Sequence, residues 1–151
     1  DNLVARHIGE TELLLAAAPA YLARAGTPQR PDALSGHACL TYAFSATGKE
    51  WQFTAADGDV LNVRVGGPVH ANNGVLLAEI AVAGAGIVHM PCFILLPLIE
   101  RGALQRLLPD WRGRRLPIHV VYPSRRHLSA KVQAMTGFLA AWFAQRRHEA
   151  L

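Results

Sequence analysis

The chain has 151 residues, 51% of them hydrophobic and 17% charged, a length and balance that suit one ordinary folded domain and exclude an intrinsically disordered segment. Its longest apolar runs, Val75–Ala83 and Cys92–Ile99, are interrupted by Glu79 and Pro97 and fall short of the roughly 18–20 residues that a membrane helix needs. The net charge of +4 rests on Arg clusters such as Arg112, Arg114 and Arg115, Arg125 and Arg126, or Arg146 and Arg147. These sit at turns and element ends without interleaved aromatics, which reads as solvated edge rather than a nucleic-acid stripe.

In chain order, Leu3–Ile8 reads as a short strand end, Gly9-Glu10 as a turn and Thr11–Ala18 as a second strand stopped by Pro19. Pro19–Arg24 is a short helix with Gly26 as its stop, and Pro31–Leu34 is another. Cys39–Tyr42 is a strand. Trp51–Thr54 and Val60–Val65 form a hairpin around Asp57-Gly58, with Leu61, Val63 and Val65 facing inward. Asn72–Ala83 is a mostly buried helix, capped by Asn72 or Asn73 and stopped by Gly84. Gly86–Met90 is a buried strand, Pro97–Arg101 a helix, and Leu104–Leu108 and Pro117–Tyr122 are strands. A long amphipathic helix from about Leu128 to Arg147 carries Leu128, Val132, Met135, Leu139, Trp142 and Phe143 on one face. Strands alternating with helices predict an α/β sheet protein.

Chemistry-bearing patterns are sparse. Gly84-Ala85-Gly86 lies between a helix and a strand, the reverse of the order that a dinucleotide fingerprint requires, so it reads as a helix stop. The seven histidines show no metal-ligand spacing, so neither a metal site nor a cofactor is expected. Ser35-Gly36-His37 and Cys39 lack the elbow and acid of a nucleophilic site, and no catalytic residue is assigned. Cys39 and Cys92 read as small buried thiols, which fits reduced cytoplasm. One stretch has binding logic: His70-Ala71-Asn72-Asn73 joins a strand region to the start of the buried helix, where backbone N–H groups and the helix dipole favour an anion. A plain asparagine N-cap explains the same residues, and both readings stand.

Four segments resemble one family. Pro19-Ala20-Tyr21-Leu22-Ala23-Arg24-Ala25-Gly26-Thr27-Pro28 resembles the "SPAYLARHGTP" stretch of LysR-type transcriptional regulators. Ala83-Gly84-Ala85-Gly86-Ile87-Val88-His89-Met90-Pro91 is similar to their "AGLGIALLP". Leu107-Leu108-Pro109-Asp110-Trp111 and the run from Tyr122 to Val132 match two further stretches, in order, and look most like the CrgA-like subgroup.

The resemblance implies an effector domain with a type 2 periplasmic-binding-protein-like α/β fold, its second subdomain complete and its first partial. Residues 1–18 would be the end of the first subdomain and a crossover strand, 19–117 the second subdomain, and 118–151 the other crossover strand and a returning helix. It further implies a small-molecule effector held in a cleft between subdomains, self-association through effector domains, DNA contact only through a missing N-terminal domain, no membrane partner and a cytoplasmic location. A start at Asp1, with apolar sequence from Leu3, fits a piece of a longer protein. Two departures bear on the pocket: Ala18 replaces the usual Ser, and His89 stands where the family places an aliphatic residue.

The expected effector-binding residues are Tyr42 and His70 as walls, Ala71, Asn72 and Asn73 as the cradle for an anionic effector such as a carboxylate, and His89 as a specificity determinant if it faces the cleft rather than the core. The competing readings are a transport-type solute-binding lobe and a small α/β enzyme.

Overall fold

The structure, a computed structural model, describes residues 3–123 and 129–146, and they fall into two compact units. One comprises residues 12–114; the other comprises residues 1–11 and 115–151. Strand β1, Leu3–Ala17, contributes to both.

In the larger unit, Pro19 at the first helical position opens α1, Pro19–Ala25, and Gly26 closes it. A 3-10 turn at Pro31–Gly36 leads into β2, Cys39–Tyr42. The expected hairpin forms from β3, Glu50–Thr54, and β4, Val60–Arg64, paired antiparallel with Phe53 opposite Leu61. Strand β5 is the short His70–Ala71, followed by helix α2, Gly74–Val82, strand β6, Ile87–Pro91, and helix α3, Cys92–Glu100. Gly84 follows α2 with φ +85°, a left-handed geometry that glycine adopts without steric cost. Arg24 donates to the Gly84 carbonyl at 2.6 Å, which ties α1 to the end of α2. Two-residue strands β7, Gln105–Arg106, and β8, Arg112–Gly113, complete the unit.

Among the described residues, a six-stranded sheet runs β5-β2-β6-β1-β7, with β9, Arg115–Pro123, paired to β1. Strands β5, β2 and β6 are parallel, while β1 is antiparallel to β6 with Leu15 opposite His89. A separate three-stranded sheet has the order β4-β3-β8. Side chains alternate across the larger sheet, so two cores form. Leu40, Val88 and Met90 pack with Leu77, Ala81 and Leu95 of α2 and α3. Cys39 and Ile87 pack with Trp51, Phe53, Val63 and Leu34. Each fully buried aliphatic side chain here contributes about 1.5–3 kcal/mol.

In the smaller unit, Glu10 of β1 and Arg115 of β9 form an exposed ion pair of 3.6 Å, and α4 spans Ala130–Gln145. Ser129 caps α4 by accepting from the Val132 N–H, and Thr136 is its buried residue. Met135 and Phe138 are exposed, so the apolar face expected from periodicity is only partly covered: Val132, Leu139, Trp142 and Phe143 are half-buried. The expected helix ends at Leu128 and Arg147, and the Arg125-Arg126 cluster, lie outside the described residues.

Three element expectations need correction. No turn forms at Gly9-Glu10; β1 runs through. Gly9 is there because Phe143 lies against it, its Cδ1 2.8 Å from where a Cβ would stand. Helix α3 begins at Cys92 rather than Pro97, and Pro97 sits inside it, forfeiting one backbone bond in an otherwise well-buried helix. The stretch Leu104–Leu108 pairs only at Gln105 and Arg106, while Leu104, Leu107 and Leu108 are buried as core.

Candidate functional site

Parallel strands present their C-terminal ends together, and in open α/β sheets ligands bind outside those ends. Here Tyr42, Ala71 and Pro91 end β2, β5 and β6. Helix α2 starts three residues after Ala71, and α3 starts directly after Pro91. The two helix starts are close: a Cβ on Gly74 would lie 2.9 Å from Met90 Sδ and 3.2 Å from Ile94 Cδ1.

The sequence-expected residues distribute around this edge. Asn73 is the N-cap of α2, its Oδ1 accepting the Leu76 N–H at 3.1 Å, so the capping reading is realised for that oxygen. Its side-chain amide protons and the exposed Asn72 remain for other partners. Ala71 and Tyr42 are register partners and lean toward the α2 and α3 side of the sheet. The Tyr42 ring meets the exposed Phe44 ring edge-on, centroids 5.9 Å apart. His70 pairs with Thr41 on the opposite face, and Thr41 Oγ1 lies 2.8 Å from His70 Nδ1. His70 and Tyr42 therefore flank the edge from its two sides.

His89 stands apart from this group. It is 5% exposed, points to the face opposite α2 and lies between Trp51 and Phe53, with ring centroids 5.0 and 5.1 Å away. Among the described residues its Nε2 has no hydrogen-bond partner, and it lies 3.1 Å from where a Cβ on Gly113 would be. Burial pushes its pKa down to about 3, with the Leu13 carbonyl offsetting part of that, so the ring is neutral at physiological pH. As placed, it packs in the core.

The residues that tempted a nucleophilic reading are occupied otherwise. Ser35 Oγ donates to the Asp32 carbonyl, and the Tyr21 hydroxyl bridges His37 Nδ1 and the Ala38 N–H. Cys39 is buried, its thiol pushed up to about 12 by desolvation, so it is no thiolate nucleophile near neutral pH. Among the described residues, no three His, Cys, Asp or Glu side chains come together as a metal site, and no helix is long and apolar enough to cross a membrane.

Sequence reasoning passed over Thr41 and Phe44. The signal for Thr41 was a polar side chain inside an apolar strand; Phe44 lies in the turn that follows that strand, two residues beyond Tyr42.

Residues 1–144 match the family model of the LysR substrate binding domain. An uncharacterized HTH-type transcriptional regulator of Haemophilus influenzae is 38% identical over 136 residues, which cover 90% of this chain and 47% of that protein. The full-length structure of the Vibrio cholerae virulence activator AphB, a member of the LTTR family, aligns with a TM-score of 0.81 at 27% identity, covering 95% of this chain and 49% of AphB. The regulatory domain of CrgA, a LysR-type transcriptional regulator of Neisseria meningitidis, aligns at 0.78 and 28%, covering 92% and 68%. The chain thus spans about half the length of the curated relatives it matches.

Proposed function

This chain belongs to the LysR substrate-binding domain family, and from that premise we propose that it is the effector-binding part of a LysR-type transcriptional regulator that recognises a small anionic molecule. The observation that carries the site is the C-terminal edge of three parallel strands meeting the N-terminus of α2. The N–H groups of the first helical turn lack intrahelical partners, and the helix dipole favours negative charge there. Asn72 and Asn73 supply amide donors, His70 a ring nitrogen, and Tyr42 with Ala71 the adjoining wall. A carboxylate is the simplest group that uses all of these donors.

The relatives' names, HTH-type regulators, support regulation over transport of a solute. The occupied Ser35 and His37 and the desolvated Cys39 support binding without catalysis. We take residues 19–117 as the second effector subdomain; the larger compact unit, residues 12–114, is close to that span. In the whole protein the partners are then an effector, a second copy of the chain, and DNA through a part beyond this chain. An effector acts there by binding one of two conformations more tightly than the other. His89 falls outside this contact set, because its ring is enclosed by Trp51 and Phe53.

A thermal-shift screen of the full-length protein against small carboxylates and aromatic acids tests the reading. At a ligand concentration 100 times Kd, binding adds about 2.7 kcal/mol of stability, a readily measured rise in Tm. A hit whose affinity is unchanged in both Asn72→Ala and His70→Ala would remove this edge as the site.

A further inference from the structure

Thr41 is 2% exposed, and its hydroxyl has two polar atoms within reach. One is His70 Nδ1 at 2.8 Å, the other the Val69 carbonyl at 3.4 Å. That carbonyl also accepts the Thr41 backbone N–H at 3.0 Å, so it has a donor whether or not the hydroxyl turns to it. Hydrogen bonds between O–H and a good acceptor cluster near the shorter distance and weaken toward the longer one. The shorter contact of the hydroxyl is thus the one to the ring nitrogen, and the direction of that bond goes with the tautomer of His70. A neutral imidazole carries one donor and one acceptor nitrogen, and the bond made by one nitrogen sets the role of the other.

We propose that Thr41 is a positioning residue for His70, donating to Nδ1 so that the exposed ring carries its proton on Nε2 and turns that N–H toward an effector oxygen. This rests on the reading above, in which His70 lines the effector site. It sharpens the class of effector: the atom facing His70 is a hydrogen-bond acceptor, a carboxylate or carbonyl oxygen, and not an amine. The sequence held the two residues 29 positions apart, and only the parallel register of β2 and β5 brings them together.

The test begins without effector. Long-range ¹⁵N–¹H correlation spectra of the ¹⁵N-labelled protein, at a pH where imidazoles are neutral, report which ring nitrogen of His70 is protonated and whether the other accepts a hydrogen bond. The expected result is a protonated Nε2 and a hydrogen-bonded Nδ1. The Nδ1 signal should move toward that of a free ring in Thr41→Val and return in Thr41→Ser. A protonated Nδ1 in the wild type, or an Nδ1 signal indifferent to Thr41→Val, overturns the assignment while leaving the effector site standing.

The second arm titrates the strongest carboxylate hit. Affinity should fall about tenfold in Thr41→Val and recover in Thr41→Ser, the loss of one oriented hydrogen bond. If the ring signature is as expected but His70→Ala binds the carboxylate as well as wild type, His70 makes no effector contact, and the positioning role toward an effector fails.

Discussion

Replacing His89 by Leu should flatten the acid side of the stability profile. The folded ring has its pKa pushed down to about 3 from the ordinary 6.5, chiefly by burial. The unfolded chain therefore takes up a proton below pH 6.5 that the folded chain refuses until about pH 3. The sign follows: stability is fully present above 6.5 and is lost as the pH falls between those limits. From pH 7 to pH 5 the loss amounts to about 2 kcal/mol from this one group, since each pH unit below 6.5 favours the protonated unfolded chain by about 1.36 kcal/mol. In His89→Leu that contribution vanishes. The substitution also deletes the unpartnered Nε2, worth about 1–3 kcal/mol, and loses ring packing on Trp51 and Phe53, worth about 0.5–1.5 kcal/mol. Those effects are the same at both pH values and cancel in the difference. Urea unfolding followed by far-ultraviolet circular dichroism at pH 7 and pH 5 gives that difference. With a slope of about 2 kcal/mol/M, the wild-type midpoint should drop about 1 M more than that of the variant. Equal pH dependence in the two proteins would refute a buried, neutral His89.

Other substitutions separate capping, close approach and packing. Asn73→Asp keeps an oxygen to cap the Leu76 N–H, so its urea midpoint should match or slightly exceed that of wild type, while its carboxylate repels an anionic effector and costs about tenfold in affinity by titration calorimetry. Gly113→Ala drives a Cβ into the Leu13 carbonyl, on a segment where the Leu13 N–H donates to the Arg114 carbonyl at 3.0 Å; a loss of about 3 kcal/mol is expected in urea unfolding. Gly84→Ala must hold φ near +85° with a side chain, a cost of about 1–2 kcal/mol that should show as a lower Tm. Leu77→Ala empties a fully buried position between α2 and the sheet and should cost about 2–5 kcal/mol in the same urea assay.

Local patterns carried much of the fold. The β3–β4 hairpin was written in alternation and in Asp57-Gly58, whose Gly58 does take φ +94°. The place of α2 followed from Asn72 or Asn73 and Gly84, within two residues of its ends at Gly74 and Val82, and β2 was read with its bounds intact. What failed depended on partners remote in sequence. Gly9 looks like a turn until Phe143, far along the chain, is seen to need the space. Strands β7 and β8 are two residues each and exist because β1 and β3 pair with them, which no short window displays. Pro97 ends a helix by local rules, yet burial of Cys92, Leu95 and Leu98 carries α3 through it.

The candidate site divides in the same way. Asn72, Asn73 and the α2 start are contiguous and legible. The separation of His89 from them depends on which face of β6 it occupies, and thus on sheet register. The pairing of Thr41 with His70 depends on register as well.

The central claim is that the effector sits at the C-terminal edge of β2 and β5 against α2. The most direct measurement is the map of backbone amide shift changes when the strongest carboxylate hit is added to the isotopically labelled protein. The account predicts the largest changes at Tyr42, Phe44 and the run from His70 to Val75, with small ones around His89. Changes concentrated on α4, or on the β3–β4 hairpin, with that edge unmoved, would contradict it.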